Sequence, residues 1–183
     1  IISNPHNPTG VFDSDDTILG LADRVAANGG WLIGDEGVRP FMRGCEFQSP
    51  ASVHEKIVST CSLTKAWGLY GLRIGWVIAS QEIIQRIYNI MDNLHVIQPI
   101  MTEYIAYEIL AKSTKGSELL AESRETANQN YRIAAEYLDQ SNSLIYTQPD
   151  AGLSMLVKFK DGRDSDIYCR RLMEEEDVLV VPG

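Results

Sequence analysis

Short apolar runs alternate with segments of helical period along most of this chain, and that alternation narrows the fold more than any other feature. Ile1 to Ser3 reads as a strand end, and "WLIGDE" at 31–36, "KIVSTCS" at 56–62 and "RIGWVIA" at 73–79 read as further strands. A helix separates the first two. Asp13 or Ser14 can cap it, Asp15 and Asp16 suit its positive N-terminal end, and Ile18, Leu21, Ala22, Val25 and Ala26 form its apolar stripe up to Gly29-Gly30. Between the third and fourth strands lies only the Gly-rich loop "LTKAWGLYGL", too short for a helical crossover, so the fourth strand should run antiparallel to the third. From Ser80 onward the period is helical in "QEIIQRIYNIMDNL", "IMTEYIAYEILAK" and "RETANQNYRIAAEYLDQ". After "TQPDAG" it drops to two in "LSMLVKF", and a short helix, "SDIYCRRLMEEE", and a final strand in "VLVVPG" follow. The expected fold is α/β with a mixed, mostly parallel sheet, flanking helices and a second, smaller α/β unit beginning after a boundary between 124 and 142. Both ends read as cut, because the chain enters directly on a strand and stops on a strand and turn.

Composition removes several classes of function. The 25 acidic residues outnumber the 16 basic ones, for a net charge of −9, and the longest basic cluster is the pair Arg170-Arg171, so a nucleic-acid surface is not expected. No apolar run approaches the roughly 18 residues of a membrane span, which makes a cytoplasmic protein the expectation. Cys45, Cys61 and Cys169 have no paired spacing, and His6, His54 and His95 are scattered, so neither a disulfide framework nor a metal site is suggested.

Chemistry-bearing side chains fall just past successive strands: Asn7 after the first, Asp35 at the end of the second, Lys65 after the third. In an open parallel sheet the ligand crevice lies outside the carboxyl ends of the strands, so these residues can converge. Arg73 opens the returning strand and comes back to the same edge. An amide, a carboxylate, an amine and a guanidinium in one crevice match the needs of pyridoxal phosphate. The amine forms a Schiff base with the aldehyde, and the carboxylate keeps the pyridine nitrogen protonated so that the ring accepts electrons. The amide can donate to the phenolate oxygen, and the guanidinium, with the Ser62 hydroxyl, suits a phosphate dianion. Taken singly, each residue also has an ordinary reading: a solvated loop lysine, a capping aspartate, a turn asparagine, a surface arginine.

The blocks "NPHNPTG", "GDEGVRPF", "STCSLTKAWGLYGLRIGW" and "PDAG…VLVVPG" resemble, in order, the signatures of the class I/II aminotransferases, enzymes of the aspartate aminotransferase fold. The resemblance spans nearly the whole chain, and the lysine block is its most specific part. It implies pyridoxal 5'-phosphate as cofactor, with Asn7 on the phenolate oxygen, Asp35 on the pyridine nitrogen, Lys65 on the aldehyde carbon, and Ser62 and Arg73 on the phosphate. It also implies amino acid and 2-oxo acid substrates, a homodimer, and Lys65 as the catalytic base. In family terms, residues 1–123 are the C-terminal half of the large cofactor domain, 124–141 a connecting helix, and 142–183 the beginning of the small domain. Two departures stand out. Val38 occupies the place of a usual tyrosine that donates to the phenolate oxygen. The family's catalytic chain is also about twice this long, which places the ring-stacking aromatic and the phosphate loop before Ile1, puts the substrate-carboxylate arginine after Gly183, and leaves the isolated chain poorly active. A non-catalytic remnant or regulatory module, and a lyase or decarboxylase on the same scaffold, stay open as alternatives.

Overall fold

The computed structural model describes residues 1–42, 48–94, 97 and 99–183, so Cys45 and His95 lie outside the described residues. A four-stranded sheet runs in the order β1 (Ile2–Ser3), β2 (Leu32–Asp35), β3 (Ile57–Ser62), β4 (Gly75–Ile78). The first three strands are parallel and β4 is antiparallel to β3, with Gly75 opposite Ser62. The strand edge that ends in Ser3, Asp35 and Ser62 is therefore also the edge at which β4 begins.

Helix α1 (Asp15–Ala27) crosses between β1 and β2. Ser14 caps it, its hydroxyl accepting from the Thr17 N–H, and Asp15 and Asp16 place negative charge at the positive end of the helix dipole. Gly29, with φ of +74°, supplies the left-handed turn that ends it. Ile18 and Ala22 of α1 pack with Leu32, Ala51 and Ile57, which gives one face of the sheet its apolar cover. The alternation is visible in β3, where Ile57, Ser59 and Cys61 are buried while Val58, Thr60 and Ser62 are only partly covered. Asp35, aligned with Thr60, lies on that second face.

A second core joins the loop after β3 to the helices. Leu63, Ala66 and Trp67 of the loop are buried with Phe41, Cys61 and Ala106, and Leu119, Leu120 and Ala127 pack against them. These partners come from α3 (Ile100–Tyr107) and α4 (Lys115–Asp139), which follow α2 (Gln81–Leu94). Between α3 and α4 the helix widens into a π-type segment over Glu108–Lys112. Among the described residues no helix is long and apolar enough to cross a membrane.

The C-terminal part differs from the sequence expectation in three places. The strand read over 153–159 forms only as β6 (Val157–Phe159). It pairs antiparallel with β5 (Leu144–Tyr146), which the period did not reveal because three residues are too few to display one. After α5 (Ser165–Glu176) the segment "VLVV" has strand composition but forms no strand, with Leu179 and Val181 left 78% and 90% exposed. A β-strand is completed by a neighbour's hydrogen bonds, and no described residue supplies them there.

Candidate active site

Lys65 sits on a turn that the core holds rigid. The Leu63 N–H donates to Ile74 O at 3.1 Å, the Leu69 N–H to Leu63 O at 3.0 Å, and the Gly68 N–H to Lys65 O at 3.1 Å. Gly68 takes φ of +68°, which a side chain would disfavour, and Trp67 meets Trp76 edge-on at 5.7 Å. With Leu63, Ala66 and Trp67 buried on either side of it, Lys65 is turned outward and exposed.

Asp35 ends β2 with its side chain exposed. One carboxylate oxygen accepts from the Gly37 N–H at 2.9 Å, and its backbone carbonyl accepts from the Asn4 N–H at 3.0 Å. A carboxylate has further acceptor capacity beyond that one bond, so the exposed Asp35 side chain can also accept from a ligand N–H. Asn7 lies in a closed loop. The buried Asn4 amide clamps the loop's base, donating to Asp13 O and accepting from the Asp13 N–H at 2.9 Å each. Above it, the His6 N–H donates to Val11 O at 2.8 Å and the Gly10 N–H to His6 O at 2.6 Å, so Asn7 is carried exposed near the tip.

Ser62 ends β3 half-buried, its Oγ accepting from the Thr64 N–H at 3.4 Å, which leaves the hydroxyl proton for another acceptor. Gly75 faces it across the β3–β4 pair. A Cβ on Gly75 would lie 2.9 Å from Cys61 O and 3.3 Å from Ser62 Cβ, so this close approach depends on glycine. Arg73 adopts φ of +55°, in the left-handed region, and its guanidinium donates to Tyr70 O at 3.3 Å while remaining exposed. The strand order and register thus bring Asn7, Asp35, Ser62, Lys65 and Arg73 to one edge of the sheet. By type they comprise an amide, a carboxylate, a hydroxyl, an amine and a guanidinium, of which all but the half-buried Ser62 are exposed.

Val38 packs against the cluster containing Phe41 and Leu63. Its apolar side chain offers no donor for a ligand oxygen.

A buried charged group behind Asp35 went unseen in the sequence. Glu36 is 4% exposed and Arg39 8%. Arg39 donates to both carboxylate oxygens of Asp15 at 2.7 Å and to Gln48 O at 3.0 Å, and its guanidinium lies over the Phe12 ring at 5.3 Å. It thereby ties the turn after Asp35 to the start of α1. The available signal was the charged pair's position in "DEGVRPF", where Pro40 and Phe41 follow at once, but the partner at Asp15 is remote in sequence.

Burial pushes the Glu36 carboxyl above its ordinary value of about 4.5, and the nearby Ser59 and Ser49 hydroxyls and the Arg39 guanidinium offset part of that rise. The folded chain therefore holds this proton more tightly than the unfolded one. The resulting stability is fully present below about pH 4.5 and is lost as pH rises through the raised value. Glu36→Gln removes this dependence, so in urea unfolding the variant should gain stability relative to the parent as pH increases from about 4 to about 8. Parallel profiles for the two proteins would contradict the assignment.

A family model described as aminotransferase class I and II matches residues 1–183. The chain belongs to that family. Capreomycidine synthase of Streptomyces vinaceus is 28% identical to this aminotransferase-family chain over 186 residues, covering 100% of it and 47% of the relative. A solved PLP-dependent aminotransferase from Streptococcus suis superposes with a TM-score of 0.86 at 25% identity, covering 100% of this chain and 48% of that one. A tetra mutant of Thermus thermophilus aspartate aminotransferase superposes with a TM-score of 0.89 at 22% identity, with 48% of its chain covered, a likeness of fold. The chain spans about half the length of the curated relatives it matches. The fold is accordingly the mixed, mostly parallel α/β architecture of aspartate aminotransferase.

Proposed function

We propose that the protein containing this chain is a pyridoxal 5'-phosphate-dependent aminotransferase that moves an amino group between an amino acid and a 2-oxo acid, with Lys65 as the group that carries the cofactor. Family membership and the PLP-dependent neighbour imply that cofactor. The observation that carries the reading is the gathering of Lys65, Asp35, Asn7, Ser62 and Arg73 at a single sheet edge.

When bound, the cofactor supplies an electron sink for the substrate α-carbon. The remaining work belongs to the chain. The Asp35 carboxylate would accept the pyridine N–H and hold that proton in place. Asn7 would donate its amide to the phenolate oxygen, while Ser62 and Arg73 would bind the phosphate. Lys65, on its turn, would carry the aldehyde carbon and would serve as the base for the proton at the substrate α-carbon. With Val38 in the tyrosine position, the phenolate oxygen would take its hydrogen bond from Asn7. A homodimer, and the division into a large-domain part (1–123), a connecting helix (124–141) and a small-domain part (142–183), belong to the same proposal and rest on the resemblance, and a cytoplasmic location belongs to it as the expectation from the sequence.

A labelling assay tests it. The full-length gene product is incubated with pyridoxal 5'-phosphate, a panel of ¹⁵N-labelled amino acids and a 2-oxo acid. The expected result is the label in the amino acid formed from the 2-oxo acid. Loss of carbon dioxide or ammonia without transfer of the label would point to a decarboxylase or lyase, and bound cofactor without any turnover to a non-catalytic module.

A further inference from the structure

The loop that carries Asn7 is braced from far along the chain. Gly10 O accepts from two successive backbone donors, the Asp150 N–H at 2.9 Å and the Ala151 N–H at 3.1 Å. The Asp150 carboxylate returns the contact, accepting from the Phe12 N–H at 2.9 Å. The Ser154 hydroxyl donates to Pro8 O at 3.2 Å. Contact at Gly10 is close: a Cβ there would stand 2.4 Å from Pro149 Cβ and 2.6 Å from Ala151 O, and φ is +71°. Residues 8–12 are thus gripped from a remote segment, at atoms that the Asn4 clamp does not touch.

We propose that Asp150 is a positioning residue for Asn7, holding residues 8–12 so that the Asn7 amide stays where a cofactor oxygen can reach it. The proposal rests on the reading of this edge as a pyridoxal 5'-phosphate site. The Asn4–Asp13 clamp fixes the base of the loop, and the internal bonds from His6 to Val11 and Gly10 fix its shape. Neither fixes the tilt of the closed loop over the sheet edge. The bonds from Asp150, Ala151 and Ser154 bear on it, and among them the Asp150 carboxylate is the side-chain group that ties Phe12 to the remote segment. Asp150 is itself exposed, so replacing it disturbs no core. The same bonds couple the segment before β6 to the cofactor edge, and a shift of that segment would be felt at Asn7.

The test is a double-mutant cycle on the full-length gene product, reading the pyridoxal 5'-phosphate dissociation constant by absorbance titration, with amide exchange at Phe12 measured beside it. Asp150→Ala should loosen cofactor binding by about threefold to tenfold and speed Phe12 exchange. Asp150→Asn, whose amide oxygen still accepts from the Phe12 N–H, should stay within about twofold of the parent. In an Asn7→Ala background, Asp150→Ala should change the constant by less than about twofold, because its effect acts through Asn7. Equal loosening in both backgrounds, or none in either, would overturn the proposal. A parent protein that takes up no pyridoxal 5'-phosphate would overturn the functional reading and this role with it, while Phe12 exchange would still report whether the Asp150 contact exists.

Discussion

Lys65→Arg should eliminate covalent retention of pyridoxal 5'-phosphate and lower the rate of amino-group transfer by at least about a thousandfold, while leaving the fold intact. The side chain is separable from its support. The turn is held by Leu63, Ala66 and Trp67 in the core and by backbone bonds among residues 63–74, none of which involves the Lys65 side chain. An exposed substitution of this kind changes stability by no more than about 0.5 kcal/mol. Arginine keeps the positive charge and the reach but stays protonated, so it neither attacks an aldehyde nor removes a proton. A positioned base alone contributes roughly a hundred- to ten-thousandfold to proton transfer, and loss of the covalent role adds to that. Circular dichroism and thermal melting establish the fold, and size-exclusion chromatography followed by absorbance of the protein peak measures retained cofactor. Retained turnover in Lys65→Arg would remove the residue from the chemistry.

Asp35→Asn is the second large effect, and it isolates charge from geometry. Asparagine is nearly isosteric, and its amide oxygen can still accept from the Gly37 N–H, so the turn after β2 should persist. The charge is lost. A hydrogen bond to a charged group is worth about 1.5–3 kcal/mol, so the rate of transfer should fall by roughly ten- to 150-fold while the melting temperature changes little. Asp35→Ala should be worse on both counts, because it also frees the Gly37 N–H. An unchanged rate in Asp35→Asn would reduce Asp35 to the turn residue that its bond to Gly37 already makes it.

Much of the sheet was legible because its determinants are local. β2 and β3 are short apolar runs that end in polar residues, Ser14 and the Asp15-Asp16 pair announce α1, and the brevity of the loop between Ser62 and Gly75 dictates the antiparallel return of β4. The edge carrying Asn7, Asp35, Lys65 and Arg73 follows from that topology alone. What stayed hidden depends on contacts between remote residues. "VLVVPG" has every local property of a strand, yet forms none, because pairing is decided by a partner and not by composition. The burial of Glu36 and Arg39 has no local signal, because Asp15, the counter-ion of Arg39, is remote in sequence. The Asp150 brace on Gly10 and Phe12 has no signature in either segment, since the donors are mostly backbone groups that every sequence possesses.

The most direct test of the account is chemical. The full-length protein, saturated with pyridoxal 5'-phosphate, is reduced with borohydride, digested and mapped by mass spectrometry. The account predicts a pyridoxyl group on Lys65, in the peptide spanning the turn after β3, and none in Lys65→Arg at that position. A pyridoxyl group on Lys56 or Lys158, with Lys65 unmodified, would contradict it.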